Sequence, residues 1–155
     1  MSGAYSRNKG ARAERELCGL LREYLGVEAT RNLKQYQEAQ HGDVEQLIGP
    51  YILEVKNQAR LSLPAWWRQA LDAAEARGSC LPCVAYRLPN RALHDRWRFI
   101  VPDEREPSHN WELDYRYTAD LGLEAFAVRV RERLPGGGCF VAANMATDGG
   151  EPNED

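Results

Sequence analysis

Two opposite charges lie inside a segment that otherwise has the pattern of a buried strand. Residues 51–56 read YILEVK and follow a Gly-Pro turn. Because side chains alternate between the two faces of a strand, Glu54 and Lys56 lie on one face, and the large apolar residues at odd-numbered positions lie on the other. Taken alone, such a pair is typical of a surface ion pair that contributes about 0–1 kcal/mol to stability.

Two further acids could join this pair. Asp43 follows a glycine and begins a short segment, 43–48, which is predicted to form a hairpin with residues 51–56 and to bring Asp43 close to Glu54. Glu14 lies on the apolar stripe of a predicted helix, where a carboxylate is costly unless it meets a cation or a metal. A glutamate at the edge of the stripe that reaches water explains Glu14 equally well.

These residue types suit the hydrolysis of a phosphodiester. Carboxylate oxygens are hard ligands for Mg²⁺, which keeps several waters and binds few protein groups, and the carbonyl of Val55 could add one more ligand. Lys56 would then lie near the activated water or near a phosphate, where it could orient the water and stabilise developing negative charge. The spacing therefore predicts a metal site formed by carboxylates, with Lys56 beside it.

The remaining pattern predicts the elements that position these groups. Helices are expected over residues 11–25, 63–77 and 119–133, and strands over residues 27–33, 43–48, 51–56, 81–88 and 96–101. This order predicts an α/β fold in which a central mixed sheet is flanked by helices, with an extra C-terminal helix. The helix over 63–77 crosses between two strands, which predicts a parallel pair, with Tyr51, Leu53 and Val55 beneath that helix. The inward-facing residues of the last helix are expected to be Leu121, Ala125, Val128 and Leu134.

The composition is that of one globular domain with a polar tail. The chain has 155 residues, of which 43% are hydrophobic, and no apolar run approaches the roughly 18 residues of a membrane span. We expect a single domain over residues 1–135, a flexible Gly-rich and acidic tail over 136–155, a cytoplasmic location and no membrane partner. The formal charge is −3, yet the start of the chain carries a basic cluster of Arg7, Lys9, Arg12 and Arg15. Such a cluster suits phosphate contacts, although a solvated helix start has the same composition.

Three other features could carry chemistry but have simpler structural explanations. Cys80 and Cys83 match a CxxC spacing, but the pair opens a predicted strand rather than a helix, and no second pair completes a zinc site. Trp66 and Trp67 could stack on bases, but their helical spacing beside alanines favours the core for at least one of them. His41, two residues before the aspartate, is a candidate neighbour of the acidic cluster.

The motifs that carry the acids resemble those of a known nuclease family. Archaeal-type Holliday junction resolvases, which belong to the PD-(D/E)xK nuclease superfamily, have motifs similar to Lys9-Gly10-x-x-x-Glu14-Arg15-Glu16-Leu17, Gly42-Asp43-Val44 and Leu53-Glu54-Val55-Lys56 of this chain. The resemblance covers about residues 7–101. It looks closest to resolvase-like nucleases of phages and prophages, which share a glutamine-rich segment before the aspartate and a Trp-x-x-Gln helix after the ExK strand. It implies a restriction-endonuclease-like core, followed here by a helical extension over about 112–135, in a bacterial or phage-infected host cell.

The resemblance also implies roles for residues of this chain. The implied catalytic residues are Glu14, Asp43, Glu54, Lys56 and Gln69. The implied cofactor is Mg²⁺, for which Mn²⁺ can substitute, with the ligands Asp43, Glu54, Val55 and Glu14. The candidate DNA-binding residues are Arg7, Lys9, Arg12, Arg15, Arg31, Lys34, Gln40 and Arg60. The family acts as homodimers on four-way junctions, so branched DNA and a second copy of the chain are the expected partners.

Three hypotheses for function follow. The first is a Mg²⁺-dependent DNA endonuclease that selects branched DNA. The second is a nuclease of the same fold that acts in restriction or repair, because this chain lacks the loop serine of the archaeal proteins and has Gly42 in place of the superfamily's proline. The third is a catalytically silent DNA-binding module, which predicts that a site residue is missing, whereas the acids and the lysine are all present.

Overall fold

Three helices pack on a mixed sheet. The computed structural model describes residues 3–32, 42–105, 108–112 and 114–133. Its helices and strands are α1 (Gly3–Leu25), β1 (Tyr51–Lys56), α2 (Leu63–Arg77), β2 (Leu81–Arg87), β3 (Trp97–Pro102), β4 (Thr118–Gly122) and α3 (Leu123–Arg133), with 3₁₀ turns at Leu93–Asp95, Asn110–Glu112 and Tyr115–Tyr117. Among the described residues the sheet has four strands in the order β1-β2-β3-β4, in which β1 and β2 run parallel and the other neighbours antiparallel. The predicted mixed sheet with flanking helices and a C-terminal helix is confirmed, and it is consistent with a restriction-endonuclease-like core.

The first helix has the predicted inner face but an earlier start. Of the apolar residues that recur at helical spacing, Ala13, Leu17, Leu20 and Leu21 are buried and Tyr24 is partly buried. The helix begins at Gly3 rather than at residue 11, and Tyr5, Arg7 and Lys9 are exposed along this first part. Because these residues bury no stripe, the sequence gives no periodic signal there.

The crossing helix α2 confirms the parallel pair but covers the opposite face of β1. Tyr51 and Leu53 belong to the core beneath α1 and α3, whereas Ile52 packs against Ala73 and Ala74 of α2. The prediction that the odd-numbered residues lie beneath α2 is therefore wrong. Strand alternation separates two sets of residues, but it does not reveal which set the right-handed crossover covers. As a result, Glu54 and Lys56 lie on the α2 side of the sheet.

The two strands predicted before β1 are reduced to isolated bridges. Arg31 pairs with Val44, and Ile48 pairs with Tyr51. Two backbone hydrogen bonds of 2.9 Å, from Asn32 N to the Asp43 carbonyl and from Glu45 N to the Thr30 carbonyl, hold the two segments together. We call residues 29–32 with 42–46 the edge ribbon. Their short, mostly polar sequences supply too few apolar side chains for regular strands.

The C-terminal part contains a strand that the sequence did not indicate. Residues 118–122 form β4 beside β3, so the predicted helix over 119–133 begins at Leu123 instead. The expected inward face is wrong in register, because Leu121 lies in β4 and Val128 is 50% exposed. The buried residues of α3 are Leu123, Phe126, Ala127 and Val130.

Several predictions fall outside the described residues. They are Lys34, Gln40 and His41 before β1, and Leu134 with the tail over 136–155. In the part of the chain that the structure describes, no helix is long and apolar enough to cross a membrane.

Candidate active site

The carboxylate of Asp43 is held at the β1 edge of the sheet. The Asp43 amide donates to the Leu53 carbonyl at 2.9 Å, and the Val55 amide donates to Asp43 Oδ2 at 2.6 Å. Because β1 is an edge strand, Leu53 and Val55 turn these main-chain groups away from β2 and toward the edge ribbon. The structure thus brings Asp43 to the strand that carries Glu54.

Gly42 permits this close approach. A Cβ atom at this position would lie 2.7 Å from the Leu53 carbonyl oxygen and 2.8 Å from Ile52 Cγ1, both far inside van der Waals contact. The buried side chain of Asn32 donates from Nδ2 to the Gly42 carbonyl at 2.9 Å. The absence of a side chain at residue 42 is therefore what allows the backbone of Asp43 to pair with β1.

Asp43 and Glu54 form an acidic pair whose charge is poorly compensated. Burial and then the charge of Asp43 raise the pKa of Glu54 to about 8. Burial also raises the pKa of Asp43 to about 6, although the hydrogen bond from Val55 and the charge of Lys56 lower it. Two acids that resist ionisation side by side favour either a shared proton or a bound cation.

The side chain of Lys56 is hydrogen-bonded to α2. Its Nζ donates to Oε1 of Gln69, an exposed residue of α2. The preceding tryptophans anchor this helix, because Trp66 and Trp67 are only 3% and 2% exposed. Trp67 Nε1 also donates to the Trp111 carbonyl at 2.8 Å. Both rings therefore belong to the core, and the base-stacking interpretation of these tryptophans is wrong.

Glu14 lies near the acidic pair but has its own counter-ion. It is only 7% exposed, and Arg31 Nε donates to its Oε2. The negative charge of Glu14 raises the pKa of both Asp43 and Glu54, so the three acids are within electrostatic reach of one another. However, in the described part of the chain no three His, Cys, Asp or Glu side chains form a group that could hold a metal ion as they stand.

The donor chemistry of the acidic pair fits a hard divalent cation. Asp43 and Glu54 offer carboxylate oxygens in a partly buried position where negative charge is costly without a cation. An ion such as Mg²⁺ needs only one or two protein carboxylates because it retains water. The roles of Glu14 and of the Val55 carbonyl as ligands remain predictions.

A groove beside α1 gathers part of the predicted basic cluster. It has a volume of about 350 Å³, and its lining includes Lys9 and Arg12 of α1, Arg87 of β2, and Asn57 directly after β1. Neither Lys9 nor Arg12 makes an ion pair with a residue that the structure describes. Of the other described candidates for DNA binding, Arg7, Arg15 and Arg60 are exposed outside this groove, and Arg31 is half-buried beside Glu14.

Glu16 connects α1 to the sheet through hydrogen bonds and ion pairs, a role that the sequence did not reveal. Its carboxylate accepts hydrogen bonds from Arg87 at 3.3 Å, from Arg96 at 3.2 Å and from Trp97 Nε1 at 3.0 Å. Burial alone would raise the pKa of Glu16, but the hydrogen bond from Trp97 and the charge and hydrogen bond of Arg87 outweigh it, so the pKa is lowered. These partners lie 71 to 81 residues away along the chain, so no local pattern marks them.

The comparison with known protein families gives one match. The model of a family described as "Phage putative PDDEXK endonuclease" matches residues 5–120. The matched range contains Glu14, Asp43, Glu54, Lys56 and Gln69, together with the groove residues and β1 to β3. No similar chain was found among curated proteins or among solved structures.

Proposed function

The chain belongs to the family of phage putative PDDEXK endonucleases, and we propose that it is a metal-dependent DNA endonuclease whose centre is formed by Asp43, Glu54 and Lys56. The observation that carries this proposal is the hydrogen bond of 2.6 Å from the Val55 amide to Asp43. It holds one carboxylate beside another, and burial raises the pKa of each, so a bound cation would stabilise the ionised pair.

Asp43 and Glu54 would hold the ion, with Mg²⁺ as the proposed cofactor and Mn²⁺ as a substitute. The Val55 carbonyl and Glu14 are further candidate ligands. When bound, such an ion supplies polarisation of the phosphodiester and activation of the attacking water. The backbone bond from Val55 orients the Asp43 carboxylate before any ion arrives, which lowers the entropic cost of assembling the centre.

Lys56 would stabilise the negative charge that develops on the phosphate. Its ammonium group shares a strand face with Glu54, and the side-chain carbonyl of Gln69 accepts one of its protons. This hydrogen bond restricts a long and flexible side chain, so less rotamer freedom is lost when the phosphate binds. We therefore assign Gln69 as a positioning residue for Lys56.

The groove beside α1 would bind the DNA backbone. Lys9, Arg12 and Arg87 are cations along its wall, and Asn57 joins it directly to Lys56. Phosphate contacts of this kind position nucleic acid without reading its sequence. Further proposed contacts are Arg7, Arg15, Arg31, Lys34, Gln40 and Arg60.

The proposed substrate is branched DNA, cut by a homodimer. This finer statement rests on the resemblance of the Lys9–Leu17, Gly42–Val44 and Leu53–Lys56 motifs to those of Holliday junction resolvases. Its test compares a four-way junction, a flap, a duplex and single-stranded DNA in one cleavage assay. A preference for the junction supports the proposal, whereas equal rates on all four would favour a restriction or repair nuclease of the same fold.

The catalytic assignment is tested by two isosteric substitutions. We expect Asp43→Asn and Glu54→Gln each to reduce DNA cleavage in Mg²⁺ or Mn²⁺ by at least about 100-fold, because each removes a charge from the centre. Glu45→Gln is the matched control, since Glu45 is exposed on the same ribbon two residues from Asp43. Circular dichroism checks that the variants are folded. Cleavage by both variants at the wild-type rate would refute the assignment, and DNA binding without cleavage by the wild type would favour a silent module.

A further inference from the structure

A guanidinium group is built into the acidic centre. Arg31 Nε donates to Glu14 Oε2, and the two side chains are 21% and 9% exposed. The positive charge of Arg31 also acts on Asp43, whose pKa it lowers. Arg31 is thus within electrostatic reach of two of the three acids, Glu14 and Asp43. From the sequence it was a candidate for contact with DNA.

The edge ribbon fixes Arg31 and Asp43 together. Arg31 forms a bridge with Val44, next to the hydrogen bond of 2.9 Å from Asn32 N to the Asp43 carbonyl. The Asn32 side chain donates to the Gly42 carbonyl at 2.9 Å, which closes the same ribbon from the other end. Arg31 therefore occupies a position that depends on the segment carrying the proposed metal ligand.

The charge balance shows what this arginine changes. When all are ionised, as in a metal-bound centre, three acids, Glu14, Asp43 and Glu54, stand against two cations, Arg31 and Lys56, which leaves one negative charge in excess among these five groups. Without Arg31, two negative charges would remain and Glu14 would no longer have its counter-ion. The attraction of the centre for a divalent cation would then increase.

We propose that Arg31 is a positioning residue that neutralises Glu14 and so limits the centre to one divalent ion, held by Asp43 and Glu54. This inference rests on the proposed function, because it takes the acidic pair to be a metal site. It explains why no group of three metal-binding side chains is assembled among the described residues, although three acids lie within electrostatic reach. It also gives Arg31 a role within the protein, beside its proposed contact with DNA.

The test counts bound Mn²⁺ by electron paramagnetic resonance of the free ion, without DNA. We expect the wild type to bind one Mn²⁺ per chain, and Arg31→Gln to bind it about tenfold more tightly or to bind a second ion, because the freed Glu14 becomes a ligand. The double variant Glu14→Gln/Arg31→Gln should return to one ion with affinity near that of the wild type. Arg77→Gln, which removes an exposed cation at the end of α2, is the matched control and should leave binding unchanged.

A second comparison covers the case in which Arg31→Gln does not fold. Glu14→Gln alone removes one negative charge beside Arg31 and keeps the Arg31 charge near Asp43, so it should weaken Mn²⁺ binding about tenfold, and adding Arg31→Gln should restore it. Equal Mn²⁺ binding by these two variants, or by Arg31→Gln and the wild type, would overturn the inference alone. Two ions in the wild type would also overturn it. If the wild type has no Mn²⁺ site that Asp43→Asn abolishes, the metal centre of the proposed function is overturned instead.

Discussion

When no ion is bound, the ionised side chains of Asp43 and Glu54 destabilise the folded protein. Burial raises the pKa of Asp43 to about 6 and that of Glu54 to about 8, from ordinary values of 3.8 and 4.5, and the charge of Glu14 adds to the first shift and that of Asp43 to the second. Because the folded-state values lie above the unfolded-state values, the folded protein binds protons more tightly than the unfolded chain does. The resulting stability is fully present below about pH 4 and is lost as the pH rises through about 8. The acids that suit a metal centre therefore oppose folding at neutral pH.

The raised pKa values of Asp43 and Glu54 predict how stability depends on pH. In EDTA, the free energy of unfolding contributed by the pair should fall between pH 5 and pH 8, by an amount on the order of 1–3 kcal/mol. Glu54→Gln cannot ionise, so it should flatten this dependence and exceed the wild type in stability at pH 8. Urea unfolding at several pH values measures both effects. Glu45→Gln should follow the wild type, and an equally steep loss of stability in Glu54→Gln would show that the pair is not the cause.

Single residues also show which parts of the centre the sequence could predict. Strand alternation placed Glu54 and Lys56 on one face. The hairpin predicted for residues 43–48 and 51–56 indicated that Asp43 would lie close to Glu54. The contact between Arg31 and Glu14 could not be found in this way, because it joins a helix to an irregular segment 17 residues later. Side-chain pairs across elements depend on how those elements pack, which periodicity does not encode.

At the scale of elements, the approach of the edge ribbon to β1 depends on Gly42. Gly42→Ala should destabilise the protein by roughly 1–3 kcal/mol, because the new Cβ would meet the Leu53 carbonyl oxygen and Ile52 Cγ1 at less than 3 Å. The ribbon must then shift, so the bond from Val55 to Asp43 should weaken and cleavage should fall as well. Thermal unfolding and DNA cleavage measure the two consequences.

Gly10→Ala is the matched control for that substitution. Gly10 lies inside α1, and a Cβ atom there would meet nothing within 4 Å. This change should therefore stabilise the protein by about 0.5–1 kcal/mol, since alanine is the better helix former. If both alanine variants shift stability in the same direction, close packing at Gly42 is not the reason for its effect.

The elements themselves were predictable where burial imposed a strong period. Leu17 and Leu21 marked the inner face of α1, and the Gly-Pro turn marked the start of β1. The strand β4 gave no such signal, because its sequence TADLG is only partly buried and includes aspartate and glycine. It exists through pairing with β3, which is a tertiary interaction. The same limitation explains why the face covered by α2 could not be deduced from β1 alone.

At the scale of the whole molecule, charge is distributed to suit an anionic partner despite the net value of −3. Four acids lie in the last eight residues, outside the described part of the chain, whereas the groove gathers Lys9, Arg12 and Arg87. Glu16 in the groove wall already accepts hydrogen bonds from Arg87, Arg96 and Trp97. Its charge is thus largely compensated, and the two exposed α1 cations of the groove, Lys9 and Arg12, remain available for phosphate.

This distribution predicts how binding depends on salt. In an Asp43→Asn background, which separates binding from cleavage, Lys9→Gln and Arg12→Gln should each weaken DNA binding similarly on all sequences. Each should also reduce the slope of log affinity against log salt concentration by about 1, the value for one lost phosphate contact. Arg77→Gln is the control, because Arg77 is exposed at the far end of α2 and lines no part of the groove. Fluorescence anisotropy over a salt series measures the slopes, and an equal change in all three variants would mean that net charge, not the groove, binds DNA.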